Sequence, residues 1–227
     1  MISVIIPTRG LKRKKNLRSF HKKVTSLPDL IKSLKINLKM KYEVIVVIND
    51  NADEVKSFLQ ENKIEKYCIN SLNVGVSRAW NIGRELAEGD YLFYLNDDVT
   101  IGEDSVEKLV EYLQVNKDTG MIGPKGAKWQ NGKHHKFVGE LSIEEADAIS
   151  GFSFMTPSHI FDKVGGFDIN YTPAGYEEID YAFKVRSKGF KCIVMPSLNI
   201  YTEPAHGISA QNTTIKDVGT QEIAESL

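Results

Sequence analysis

Two groups of acids stand out by type and spacing. Asp97 and Asp98 are adjacent and directly follow the apolar run Tyr91–Leu95. Glu177, Glu178 and Asp180 place three carboxylates within four residues, just after Pro173 and Gly175. Adjacent carboxylates in low dielectric repel each other. A divalent cation removes that conflict, and an oxygen-only ligand set suits Mg²⁺ or Mn²⁺ held together with substrate phosphates. Capping is the plainer use for such acids, but the helix expected from Glu103 starts too far downstream for Asp97 or Asp98 to cap it. The second group suits a helix first turn, where acids meet the positive end of the dipole. On that helix Glu177 and Asp180 share a face at i, i+3, while Glu178 points about 100° away.

Such groups need rigid elements to hold them. The first half of the chain alternates apolar runs with amphipathic segments. Strands are expected at Ile2–Pro7, Glu43–Ile48, Tyr67–Asn70 and Tyr91–Leu95, with helices at about Asp29–Lys39, Ala52–Asn62 and Ser77–Glu88. Runs that are apolar throughout, rather than alternating, mark strands covered on both sides. Their regular alternation with helices predicts an α/β fold with an open, mostly parallel twisted sheet and helices on both faces. In such sheets ligands bind beyond the carboxyl ends of the strands. Those ends deliver Pro7-Thr8-Arg9, Asn49-Asp50-Asn51, Asn73-Val74-Gly75 and Asn96-Asp97-Asp98. Each alone reads as a turn; four on one edge point to a cleft. The second half is less regular. It offers a helix at Glu103–Asn116, a strand-like GMIGP, a loop or hairpin at Lys125–Lys136, a strand at Ser150–Pro157, a helix at Glu177–Lys188 and a strand in KCIVMP.

The 227 residues, 41% hydrophobic and 26% charged, suit one large soluble domain. A net charge of −1 argues against a nucleic-acid binder. Eight Lys or Arg and no acid lie between Arg9 and Lys23, which reads as a solvated loop or an anion or phospholipid contact. Cys68 and Cys192 sit in apolar runs and are expected to be buried thiols of a reducing compartment. The opening MISVIIPTRG has no charged n-region, and no apolar run approaches the ~20 residues of a membrane span, so a cytoplasmic protein is expected. Neither GxGxxG nor GxxxxGK[ST] occurs. Trp80 reads as core, and Trp129 as a loop residue that could stack on an acceptor sugar.

Four segments, ISVIIPTRG, EVIVVINDN, NVGVSRAWNIG and YLFYLNDDV, occur in the order and spacing of family 2 glycosyltransferases with the GT-A fold. Downstream, ISGFSFMTPSHIFDKVGGFD resembles that family's acceptor-side strand, helix and GGFD turn, and GYEEIDYAFKVRSKGFK resembles its catalytic helix. The resemblance runs from about Met1 to His206. It implies one GT-A-like domain, with a nucleotide-sugar-binding half over about 1–100, an acceptor and catalytic half over about 101–206, and a tail or lid over 207–227.

The resemblance also implies roles. Asn96-Asp97-Asp98 takes the place of the family's DXD motif, with Asn in the first position. Asp98 is then the metal ligand, for Mn²⁺ or Mg²⁺, and Asp97 contacts the sugar or a metal-bound water. Thr8 and Asp50 resemble the groups that hold nucleobase and ribose, with Pro7 and Arg9 shaping that loop. Asn73, Gly75, Arg78 and Asn81 resemble the region lining the nucleotide pocket. The base position falls on Glu178, where the family usually has Asp, with Glu177 and Asp180 as the neighbouring candidates. His206 matches a third metal ligand of some relatives. The implied reaction is inverting transfer from a nucleotide-diphosphate sugar, most simply a UDP-sugar, to a hydroxyl on a glycan, a lipid-linked or another acceptor. The segments Lys125–Lys136 and beyond Gly207 are candidates to close over the donor. Two other classes stay open: a nucleotidyltransferase, which would release pyrophosphate, and a non-catalytic sugar-nucleotide or glycan binder on the same fold.

Overall fold

The computed structural model describes residues 1–11 and 25–202. The basic stretch from Lys12 to Lys23, His206 and the tail beyond Gly207 lie outside the described residues.

The N-terminal half follows the expected alternation: β1 (Ile2–Thr8), α1 (Leu27–Asn37), β2 (Tyr42–Ile48), α2 (Ala52–Glu61), β3 (Lys66–Ile69), α3 (Val76–Leu86) and β4 (Tyr91–Leu95). β3, β2, β1 and β4 pair in parallel, with Ile5 opposite both Ile45 and Tyr94. The apolar runs are continuous because both faces are covered. Ile2, Val4 and Ile6 point into one core with Leu30 and Leu34 of α1 and Val55 and Leu59 of α2. Ile5 points into the other, with Trp80 of α3. This is the strand period of two dividing one run between two cores.

The second half continues with β5 (Val99–Ile101), α4 (Ser105–Val115), β6 (Thr119–Gly123), β7 (Gly126–Gln130), β8 (Lys133–Val138), β9 (Glu144–Ala146), β10 (Ala148–Ile149), β11 (Ser153–Pro157), α5 (Ser158–Val164), α6 (Glu177–Ser187), β12 (Lys191–Val194) and β13 (Ile200–Thr202). The main sheet has the order β3-β2-β1-β4-β11-β6-β12-β9. β11 enters antiparallel between β4 and β6, while β12 runs parallel to β6. A three-stranded sheet β10-β7-β8 and a pair β13-β5 flank it.

Several expectations change. Lys125–Lys136 is a hairpin, one of the two forms expected, turned at Asn131 and Gly132, both at positive φ (53° and 71°) as tight hairpin turns require. Trp129 therefore stands on strand β7, not in a loop. α1 begins at Leu27 and carries Pro28 inside its first turn, where no N–H is needed. Cys192 is buried as expected, but Cys68 is only half-buried, because its strand β3 is a sheet edge. β5, β9, β10 and β13 were not anticipated: at two or three residues each they are too short to show a period.

Candidate active site

Parallel pairing puts the carboxyl ends of β1 and β4 side by side, and this sets the first half of the site. Thr8, 2% exposed, places its Oγ1 2.7 Å from Asp97 Oδ2. Asp97 and Asp98 are both buried, and the Thr25 hydroxyl donates to the backbone carbonyl of Asp98. At the end of β2, the Asn49 N–H donates to the Thr8 carbonyl at 2.8 Å. The Asn49 side chain accepts from Asn70 at 2.9 Å and reaches the Gly75 carbonyl at 3.4 Å. Asn49 thus ties three strand ends together, a role its sequence position beside Asp50 did not reveal. Asp50 is exposed and meets Arg9 at 3.4 Å, a surface pair worth little in stability but enough to bring two loops together. Pro7 and Thr8 remain within β1.

Asn73 accepts the Gly75 N–H on its side chain at 3.0 Å, closing an Asx turn. Gly75 has φ +82°, and a Cβ there would lie 2.7 Å from Thr172 Oγ1 and 2.8 Å from the Pro173 carbonyl. No side chain fits between these loops. The contact continues through Val76 N–H to Pro173 O at 2.9 Å and Ser77 Oγ to Tyr171 O at 3.1 Å. Asn81 donates to the Phe167 carbonyl at 2.8 Å and accepts its N–H at 3.0 Å. Its amide therefore clamps the Gly165-Gly166-Phe167 turn. Arg78, half-buried on α3, has no hydrogen bond or ion pair among the described residues.

The acidic helix forms the other wall. Tyr176, at φ +68°, turns the chain into α6. Glu177 is 6% exposed and accepts the Gly175 N–H on its carboxylate. Burial raises its pKa above the ordinary glutamate value. Glu178 is raised further, from 4.5 to about 8, by burial first and then by the adjacent charge of Glu177. The backbone amides of Glu178, Gly151 and Ile179 oppose that rise only in part. Asp180 behaves differently: Lys184 lies 2.7 Å away, one turn along the helix.

Gly151 joins the two walls. A Cβ on it would lie 3.1 Å from Glu178 Cδ. The next residue, Phe152, accepts the Asn96 N–H on its carbonyl at 3.0 Å. Glu178 therefore packs on the turn that hydrogen-bonds to the Asn96-Asp97-Asp98 segment. Only a glycine before a strand marked this in the sequence, which is too common a sign to single out.

Among the described residues no three His, Cys, Asp or Glu gather to hold a metal. Asp97 and Asp98 are still a fitting pair for Mg²⁺ or Mn²⁺, which bind through one or two carboxylates and complete their shells with phosphate oxygens and water. Thr8 occupies a position on Asp97 Oδ2.

Residues 3–169 match the family model described as glycosyl transferase family 2. The chain is 24% identical over 188 residues to the glucosyl-dolichyl phosphate glucuronosyltransferase of Haloferax volcanii, covering 74% of this chain and 56% of that protein. It is 26% identical over 163 residues to the poly(ribitol-phosphate) beta-N-acetylglucosaminyltransferase TarP of Staphylococcus aureus, covering 67% and 45%. The chain thus spans about half the length of these curated relatives. Among solved structures, GalNAc-T7 with UDP, GalNAc and Mn²⁺ superposes with a TM-score of 0.70 at 17% identity, over 89% of this chain and 44% of that one. TarS residues 1–349 of S. aureus superposes at 0.63 and 14% identity, over 86% and 58%. These likenesses agree with the open, mainly parallel sheet expected for the GT-A fold. With a match that takes in the strand-end acids and covers most of its length, the chain belongs to glycosyl transferase family 2.

Proposed function

We propose that the protein is a metal-dependent, inverting glycosyltransferase that moves a sugar from a nucleotide-diphosphate sugar, a UDP-sugar, to a hydroxyl acceptor. Glu178 carries the reading. A carboxyl raised to about 8, packed on the turn that bonds to the Asp-bearing strand end, is matched to a general base working near neutral pH. Pro7, Thr8, Arg9 and Asp50 face the nucleoside, and Asn73, Gly75 and Arg78 line the same edge. Asn81 supports this edge from beneath through the Phe167 backbone. Asn96 and Asp97 stand at the transferred sugar. Asp98, with Asp97 beside it, would hold Mn²⁺ or Mg²⁺, whose chemistry is to neutralise charge on the departing diphosphate.

Glu178 accepts the proton of the acceptor hydroxyl as its oxygen attacks the anomeric carbon from the side opposite the diphosphate. A single displacement of this kind inverts the anomeric centre. Glu177 keeps the Glu178 pKa high by repulsion, and Lys184 holds Asp180 away from both roles. Three similar proteins support this reading: the GalNAc-T7 structure contains UDP and Mn²⁺, which bears on donor and metal, and the Haloferax and Staphylococcus relatives are named as glycosyl-group transferases, which bears on the reaction. No helix among the described residues is long and apolar enough to cross a membrane. The basic Arg9–Lys23 segment is our candidate for contact with an anionic or lipid-linked acceptor, and the cytoplasm our assignment for its place of action.

The test is a product assay with UDP-sugars, with Mn²⁺ and with EDTA, on the parent and Asp98→Asn. The expected result is metal-dependent release of UDP, lost in the variant, with a product of inverted anomeric configuration by NMR. Pyrophosphate as product would establish nucleotidyl transfer instead, and full activity in EDTA would remove the metal role of Asp98.

A further inference from the structure

An aromatic pair stands beside the acidic helix and has no part in the donor chemistry. Tyr176 immediately precedes Glu177, and its ring centroid lies 6.4 Å from that of Trp129, with the planes at 68°. Both rings are only partly covered. Trp129 rests one side on the core that contains Tyr181 and Ala182 of α6.

The pair is fastened to the helix by one buried carboxylate. The Trp129 backbone N–H donates to Asp147 Oδ2 at 2.8 Å. The other oxygen of Asp147 lies 2.9 Å from Arg186 of α6 and 3.7 Å from Lys128 of β7. A second tie runs through β10, which pairs with β7 and leads directly to Gly151 against Glu178. Strand β7, its tryptophan and the acidic helix therefore hold one another at fixed positions. A bare electrostatic or capping role for the acids would need none of this.

Two partly exposed aromatic rings carried on a braced backbone present a flat apolar area. A pyranose has a matching apolar side, the C–H face of its ring, with hydroxyls around the rim. A linear polyol or an acyl chain has no such rigid face. We propose that Trp129 and Tyr176 form the acceptor subsite, and that the acceptor presents a cyclic sugar ring stacked there, one of its hydroxyls turned to Glu178. The proposal rests on the glycosyl-transfer reading and narrows its acceptor to a carbohydrate ring. Exposed His134, whose ring is 6.2 Å from Trp129, and exposed Lys133 supply polar groups near the rim.

The chain has two tryptophans. Trp80 is 1% exposed in the core, so a ligand that contacts an indole directly does so at Trp129, and Trp129→Phe checks that the emission change arises there. The parent, Trp129→Phe and Tyr176→Asn would be titrated with the methyl β-glycosides of glucose, galactose and N-acetylglucosamine, and with ribitol, each with UDP and Mn²⁺ present. Asn tolerates the left-handed backbone of position 176. The expected result is a saturable emission change with at least one pyranoside and none with ribitol. That change is lost in Trp129→Phe. Its half-saturation point rises at least fivefold in Tyr176→Asn, and both variants keep the parent's melting temperature and its stabilisation by UDP with Mn²⁺.

An equal response to ribitol overturns the proposal, as does no saturable response to any pyranoside, or a response that persists in Trp129→Phe. Loss of the UDP–Mn²⁺ stabilisation in Trp129→Phe also overturns it, by placing Trp129 in the donor site. A parent that responds to pyranosides but not to UDP with Mn²⁺ upholds the subsite and sinks the donor reading instead.

Discussion

Glu178→Gln is expected to abolish transfer and, at high pH, to stabilise the protein. The Glu178 carboxyl rises from 4.5 to about 8 on folding, so the folded state holds this proton more tightly than the unfolded state does. Stability then falls as pH climbs through that window, and the loss is complete above it. At about 1.4 kcal/mol per unit the full window corresponds to about 5 kcal/mol, an upper bound. Partial exposure of the side chain and its shared titration with Glu177 reduce the realised effect to about 2 kcal/mol. Gln keeps nearly the shape of the neutral acid and cannot ionise, so it removes that loss.

For a chain of this size, about 2 kcal/mol corresponds to a melting temperature about 4–8 °C higher at pH 9. At pH 5 the two proteins should melt nearly together, since the folded parent then carries the neutral acid. The reasoning that makes Glu178 a mere first-turn acid predicts the reverse, a loss of about 0.5 kcal/mol at pH 9 with the helix-dipole interaction. Calorimetric melts of parent and variant at pH 5, 7 and 9 separate the two, with UDP release measured in parallel. Activity should fall by at least about 10²-fold in the variant, and kcat/KM of the parent should climb with pH to a plateau near the Glu178 pKa. A variant that melts below the parent at pH 9, or by the same margin at pH 5 and pH 9, would refute the argument.

Gly151→Ala puts a methyl 3.1 Å from the Glu178 carboxyl carbon. We expect kcat to drop about tenfold through a displaced base, with KM for the donor and the melting temperature close to the parent's. Asn81→Ala removes both hydrogen bonds to the Phe167 backbone, and chemical denaturation should show a loss of about 1–3 kcal/mol. Thr8→Val deletes the hydroxyl 2.7 Å from Asp97, and isothermal titration should show weaker binding of UDP with Mn²⁺, by about tenfold if that hydrogen bond is worth about 1.4 kcal/mol.

The strand ends were legible because β1, β2 and β4 are apolar on both faces, a pattern that few other elements share. Knowing that four ends share an edge does not say which side chains meet. The Thr8–Asp97 contact joins residues 89 apart and follows from the pairing register of β1 with β4, which local sequence does not encode. Asn81 shows the same limit from the other side. Its place in NVGVSRAWNIG pointed to a nucleotide pocket, yet its amide is held by the Phe167 backbone, 86 residues on. Trp129 was misread as a loop residue because the hairpin's outer strand β8 is exposed and polar over most of its length, which hides the strand period.

The choice among Glu177, Glu178 and Asp180 turns on which acid a cation neutralises. Helix geometry grouped Glu177 with Asp180 and set Glu178 apart, which by itself favours neither as base. The i, i+4 partner Lys184 was visible in the sequence, and the structure gives it to Asp180. Among the described residues Glu177 and Glu178 have no ion pair, so protonation of Glu178 relieves their repulsion. The pair Asp97-Asp98 meets the same conflict with different neighbours, a Thr8 hydroxyl and a strand end that opens toward the donor edge. The two pairs of adjacent acids thus differ in surroundings: Asp97 meets the Thr8 hydroxyl, while burial and the neighbouring Glu177 push the Glu178 carboxyl up to about 8. The proposed mechanism asks for a metal and a base in one cleft yet in different surroundings, and the turn at Gly151 and Phe152 stands between the two groups of acids, against Glu178 on one side and bonded to Asn96 on the other.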